Sequence, residues 1–164
     1  MNDERTPILV GCGQITQREA DPMRAGSPME LTAEASRLAA EDSGAGQALL
    51  NDLDTVVVLR SFSDTSWRFA CPFGRYANPP KSLAARLDAG AVRRHIYTYP
   101  GGNMPQWCIN RLFEEITRGE SRATLIAGGE ALSTQKAAQR AGLQLGWNEE
   151  SDVEPMPWGV KTRG

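Results

Sequence analysis

The segment Gly101–Ser133, GGNMPQWCINRLFEEITRGESRATLIAGGEALS, decides how this chain is read. A glycine pair lets the backbone turn sharply or approach a ligand closely. Asn103 is a good N-cap for the helix that follows, with Pro105 in its first turn. Met104, Cys108, Leu112 and Ile116 recur along one helical stripe with Phe113 beside it, which predicts a helix over Met104–Arg118 packed on a core. Gly119 ends it. Arg122–Ala127 (RATLIA) reads as a strand closed by Gly128-Gly129-Glu130, and Ser133 caps a last helix to about Leu145.

The same alternation extends upstream. His95–Tyr99 (HIYTY) and Leu53–Leu59 (LDTVVVL) read as strands, and Pro7–Gly13 (PILVGCG) as a buried strand ended by glycine. Ser27-Pro28-Met29-Glu30 is a capping box with proline at N1, and Leu31, Ala35, Leu38 and Ala39 follow on one face until Gly44. Pro80 opens the helix KSLAARLDA. Between them, Ser61–Pro80 reads as a long loop holding Phe62, Trp67, Phe69, Phe73 and Tyr76, and a loop of that length serves a function or covers something. The order β-α-β-loop-α-β-α-β-α predicts an α/β layered fold, a mixed and mostly parallel sheet with helices on both faces. The expected division is a domain over 1–146, with 61–80 as an aromatic insertion, and a tail over 147–164 without a regular element.

Composition narrows the function classes. The 164 residues carry 18 Lys+Arg against 20 Asp+Glu, a net charge of −2, which supplies no basic field for nucleic acid and no polybasic membrane anchor. No apolar run is long enough to span a bilayer, and the start MNDERTP lacks the apolar core of a secretory signal. Three widely spaced cysteines, Cys12, Cys71 and Cys108, predict reduced thiols in a cytoplasmic protein. One histidine, His95, and no CxxC pair argue against a structural zinc site.

Each chemical candidate has a plainer counterpart. Gly11-Cys12-Gly13 suggests a dinucleotide loop, but Thr16 stands where the third glycine belongs, and thirteen residues separate Gly13 from Ser27. Cys108 with His95 as base is a conceivable nucleophile; its place in the stripe with Leu112 and Ile116 reads instead as core. Gly101, Gly102 and Asn103 bring a helix N-terminus to a site where it could hold an oxyanion or thioester oxygen, or they form an ordinary capped turn. Glu130 could place a carboxylate at the carboxyl edge of the sheet, or lie solvated in a turn. The aromatic loop could bind a ligand or partner, or lie as a lid over its own core.

Taken in order, PILVGCGQIT, MELTAEASRLAAEDSG, LDTVVVL, NPPKSLAARLDA and the Gly101–Ser133 segment resemble the thiolase superfamily over nearly the whole chain. The GGN and GGEA turns are similar to those of thiolase-like proteins of the acetyl-CoA acetyltransferase type, related to sterol-carrier-protein thiolases. The resemblance implies the N-terminal half of a thiolase-type layered domain, a fragment or split subunit. It implies acyl-CoA thioesters as ligands, no cofactor beyond the coenzyme A of the substrate, and a dimer or higher oligomer, with a complementary thiolase half as a further partner.

Thiolases carry a nucleophilic cysteine where the third strand turns into the long helix. That place falls at Gly102 or Asn103, and Cys108 comes about a turn and a half too late. The family's histidine and second cysteine lie in a half that this chain does not contain. The resemblance therefore implies Gly102 and Asn103 at the nucleophile's position, and Gly101, Gly102, Asn103 and Glu130 around the acyl group. Three functions follow as expectations: an acyl-CoA acyltransferase of thiolase type or part of one, a non-catalytic module binding acyl-CoA or a partner, and a retro-aldol lyase of CoA thioesters that needs no thiol.

Overall fold

The computed structural model describes residues 5–159. Its elements are α1 (Pro28–Asp42), α2 (Gln47–Asp52), β1 (Thr55–Val58), α3 (Pro79–Arg86), β2 (Arg94–Thr98), α4 (Met104–Thr117), β3 (Thr124–Ala127), α5 (Leu132–Arg140) and β4 (Met156–Trp158), with short 3-10 turns at Phe62–Asp64 and Trp67–Phe69. The strands form one sheet in the order β3-β1-β2-β4, and every pair is parallel. Val56 pairs with His95 and Leu125, and Val57 with Ile96 and Ile126. The α/β layered fold expected from the alternation is what forms.

Strand alternation divides the core. Val56, Val58 and Tyr97 face α1, α2 and α3 through Met29, Ala33, Leu50, Leu83 and Leu87. Val57 and Ile96 face α4 through Met104, Cys108 and Leu112. A third cluster lies beside the sheet, where Phe73 meets Trp147 edge-on at 5.8 Å together with Ala131, Ala138 and Leu145. Among the described residues Glu115 is the charge buried within the layers, and Arg94 of β2 (2.7 Å) and Arg111 (3.3 Å) both pair with it.

Several expectations are corrected. Pro7–Gly13 is not a buried strand: Ile8 and Leu9 are 71% and 80% exposed, and no ladder includes them. The segment lies on α1 instead, where a Cβ on Gly11 or Gly13 would stand 2.1 Å from the carbonyl oxygen of Ala39 or Ala35. The backbone N–H of Cys12 donates to the Asp42 carboxylate at 2.9 Å rather than to a neighbouring strand.

The buried face of α1 is Met29, Thr32, Ala33, Ser36 and Ala40, not the Leu31–Ala39 stripe, which is half-buried. The hydroxyls of Thr32 and Ser36 donate to the Pro28 and Thr32 carbonyls, so polar residues are satisfied inside. α2 was not foreseen, and α5 begins at Leu132 after Ala131, without a cap from Ser133.

The tail has structure. Glu149 bridges to Tyr76, and β4 extends the sheet beyond β2. The expected tail also runs into 160–164, which lie outside the described residues. No helix among the described residues is long and apolar enough to cross a membrane.

Candidate functional site

β1 and β2 are neighbours whose exits diverge. The chain leaving β1 leads to α3 on one face, and the chain leaving β2 leads to α4 on the other. Such a divergence opens a crevice at the carboxyl ends of the strands, the place where open parallel sheets bind ligands. Arg60 fills its floor. Its backbone N–H donates to Thr98 Oγ1 (3.0 Å), its Nε to the Thr98 carbonyl (2.8 Å), and its guanidinium lies 4.3 Å over the Tyr97 ring.

Beside it is a small, partly open cavity of about 50 Å³, lined by polar groups of Ser61, Ser63, Asp64, Tyr97 and Glu130 and by apolar neighbours such as Met29. Tyr97 is buried, and its hydroxyl donates to Asp64 Oδ2 at 2.6 Å while accepting the Ser61 N–H at 3.2 Å. Burial, and then the bond to Asp64, push the phenol far above the usual tyrosine range. Glu130 Oε1 accepts the Phe62 N–H at 2.6 Å. Withdrawal of that carboxyl from water raises its pKa, the Phe62 bond opposes this, and the charge of Asp64 adds to the rise. Gly129 makes the arrangement possible: a Cβ there would stand 2.5 Å from Thr32 Oγ1, so only glycine lets the turn before Glu130 pass against α1.

The cavity adjoins an open cleft of about 670 Å³ lined by Arg60, Trp67, Arg75, Tyr76, Asn148 and Glu154. Ser63, Asp64, Cys71, Gly74, Arg75, Tyr76 and Tyr97 line both spaces. The small cavity thus opens into the larger cleft across a shared wall.

The structure separates the residues singled out in the sequence. Glu130 lines the cavity, whereas Gly101, Gly102 and Asn103 form an exposed turn that does not. The turn lies at the same edge of the sheet, between the end of β2 and the start of α4. Asn103 occupies the N-cap position in αR geometry, and its side chain makes no capping bond; a Cβ on Gly102 would meet open space.

Cys108 is fully buried under α4, and burial pushes its thiol up to about 11. His95 cannot act as its base: it alternates with Ile96, which packs on Cys108, so it stands on the opposite face. Burial raises the Cys71 thiol as well, and the exposed Cys12 lies against the Asp42 carboxylate, 3.7 Å from Sγ. Arg60, Ser61, Asp64 and Tyr97 escaped the sequence reading. Asp64 and Tyr97 meet across 33 positions, and no local spacing marks them.

No protein-family model matches the chain, and no curated protein matches it. Among solved structures, a monomeric SCP2-thiolase like protein type 1 from Mycobacterium smegmatis is 30% identical, with a TM-score of 0.64; the match covers 80% of this chain and 25% of that one. The chain therefore spans about a quarter of the length of that relative. Together with the parallel sheet and its two helical layers, the match shows a thiolase-like fold.

Proposed function

We propose that this thiolase-like module binds acyl-CoA thioesters at the carboxyl edge of its sheet and holds no acyl group on a cysteine of its own. The observation that carries the reading is the turn before α4. Gly101–Asn103 is exposed and bears no thiol, and the next cysteine, Cys108, is sealed in the core with its thiol protonated at neutral pH. The N-terminus of α4, a helix of 14 residues, supplies backbone N–H groups suited to a thioester oxygen. The ligand class draws support from the likeness to the SCP2-thiolase like protein. Calorimetry with acetyl-CoA, paired with intact-mass measurement, is the test. Heat of binding without an acetyl adduct is expected. An adduct on any cysteine overturns the second half of the reading, and no heat with no thermal protection overturns the first.

Two finer activities belong to this proposal. An acyltransferase of the acetyl-CoA acetyltransferase type would place the acyl group at Gly101, Gly102, Asn103 and Glu130 and take its thiol from a second half or partner chain. Thiolysis of acetoacetyl-CoA by the purified chain, alone and with any partner encoded downstream, tests it. A retro-aldol lyase is favoured by the Asp64–Tyr97 bond and by Glu130, which gather proton-transferring groups at one cavity where the one thiol, Cys71, is held protonated by burial. Release of an aldehyde or ketone with no free thiol consumed is its expected signature. The reading includes a cytoplasmic location and self-association. β3 has a ladder on one side only, and light scattering that gives a single-chain mass at every concentration would remove the oligomer.

A further inference from the structure

The loop after β1 turns aromatic rings outward to solvent. Its tip is the two 3-10 turns Phe62–Asp64 and Trp67–Phe69. Trp67 is 83% exposed, Phe62 47% and Phe69 45%, and the small apolar residues Ala70 and Pro72 are exposed beside them. One exposed apolar side chain is ordinary, but three rings on one short loop form a patch.

The patch is held in place. The Phe62 and Phe69 rings meet at 4.3 Å and fasten the two turns together. The Phe62 N–H donates to Glu130 (2.6 Å), the Phe62 carbonyl accepts the Thr65 hydroxyl (2.7 Å), and Ser66 Oγ accepts the Arg68 N–H (3.3 Å). A braced loop loses little conformational entropy when its rings are covered.

Positive charge gathers around the same rings. Residues 60–75 hold Arg60, Arg68 and Arg75 against Asp64 alone, and Asp64 is already taken by the Tyr97 hydroxyl. The Arg68 guanidinium lies 5.6 Å from the centre of the Trp67 ring. Arg75 is exposed, and its guanidinium has no hydrogen bond or ion pair among the described residues. Glu154, across the cleft, is the opposing carboxylate. The excess is local: the whole chain stays at −2, so no basic field covers the surface.

We propose that this loop docks on an anionic lipid bilayer, with Trp67, Phe62 and Phe69 seated at the boundary of headgroups and acyl chains and Arg68 and Arg75 on lipid phosphates. Area decides for a bilayer over a protein. At their exposures the three rings offer about 300–400 Å², whereas a stable protein interface takes about 800 Å² from each partner. A fluid bilayer needs no matching surface, and indole favours a place where one end is apolar and the other wet. The rings give depth, and the arginines select a negative surface. The inference stands apart from the acyl-CoA reading.

Flotation with vesicles of phosphatidylcholine alone, and of phosphatidylcholine mixed with phosphatidylglycerol, tests it, with tryptophan emission read on the same samples. Trp147 is buried, and Trp107 and Trp158 face each other half-buried, so a change at an exposed indole reports Trp67. The wild type is expected to float with the anionic vesicles, to shift its emission to shorter wavelength, and to bind less as salt rises. Trp67→Ala is expected to weaken binding about tenfold, and Arg68→Gln and Arg75→Gln about fivefold each, with melting temperatures unchanged. No flotation with either vesicle overturns the proposal. Flotation that leaves emission unmoved and survives Trp67→Ala intact is charge adsorption alone and overturns it as well. A wild type that ignores vesicles but forms a larger species in light scattering, reverting in Trp67→Ala, assigns the patch to protein contact and overturns it too. The vesicles carry no coenzyme A, so each outcome leaves the acyl-CoA reading untouched.

Discussion

Asp54 illustrates how much one side chain decides. It sits just before β1 and accepts hydrogen bonds from Thr55 Oγ1 (2.7 Å), Ser121 Oγ and the N–H groups of Arg122 (2.6 Å) and Ala123 (3.4 Å). Its carbonyl takes the N–H groups of Arg93 and Arg94. The start of the central strand is thereby tied to the starts of both neighbours. Burial alone would raise its pKa, but the bonds from Ser121, Thr55 and the two N–H groups outweigh that and hold it below the ordinary value of 3.8. A depressed folded pKa contributes stability that is complete above the ordinary value and lost as pH falls through the folded one. Asp54→Asn is expected to reduce stability by about 1–3 kcal/mol at neutral pH, and to flatten the acid limb of the stability curve below about pH 4; urea titrations at stepped pH measure both.

The thiols give a second test at this scale. Native alkylation at neutral pH should label Cys12, which is exposed, and spare Cys108, whose burial keeps it protonated and shielded. Peptide mass mapping reads the result.

Among elements, α1 and the segment laid across it show the reach and the limit of local pattern. The capping box at Ser27 forms as the sequence indicates: the Glu30 N–H donates to Ser27 Oγ and the Ser27 N–H to Glu30 Oε2. Caps, proline starts and apolar stripes depend on residues a few positions apart, so the starts of α1, α3 and α4 were legible to within a residue, while α3 ends at Arg86, three residues before the expected Ala89. The burial of Cys108 was legible for the same reason. Pro7–Gly13 was not, because an apolar run encodes a wish for burial without naming a partner, and its two glycines were selected by contact with α1. Gly11→Ala is therefore expected to destabilise by about 1–3 kcal/mol and to free the segment, since the new Cβ would meet the Ala39 carbonyl. Gly102→Ala, in open space, should stay within about 0.5 kcal/mol. Thermal melts compare the two, and limited proteolysis near Cys12 reports release of the segment.

At the scale of the whole molecule, the sheet is completed from a part of the chain that carries no strand signal. β4 holds Pro157 and only three residues, yet it pairs Ile96 with Met156 and Thr98 with Trp158. Trp158 meets Trp107 of α4 edge-on at 5.2 Å and lies under the Arg94 guanidinium, so the tail joins the sheet to the helical layer. Trp158→Ala is expected to cost about 2–4 kcal/mol through lost ring contact and burial; its melting temperature tests this, and added mobility of β4 in hydrogen exchange would accompany it. The same long-range closure builds the site. Glu130 stood out because it follows a glycine turn at a strand end. Asp64 and Tyr97 carry no mark until the loop after β1 folds back over β2.

The sequence by itself determined the α/β alternation, the helix starts, the parallel strands β1, β2 and β3, the absence of a basic surface field and the lack of a thiol at the turn before α4. These are local or compositional properties, and each is written within a few residues. Only the tertiary structure decided that Pro7–Gly13 leaves the sheet, that the tail enters it, and that Ser61, Asp64, Tyr97 and Glu130 share one cavity next to an arginine-lined cleft. Those outcomes turn on which distant surfaces fit together, a competition among contacts dozens of residues apart that no short pattern records.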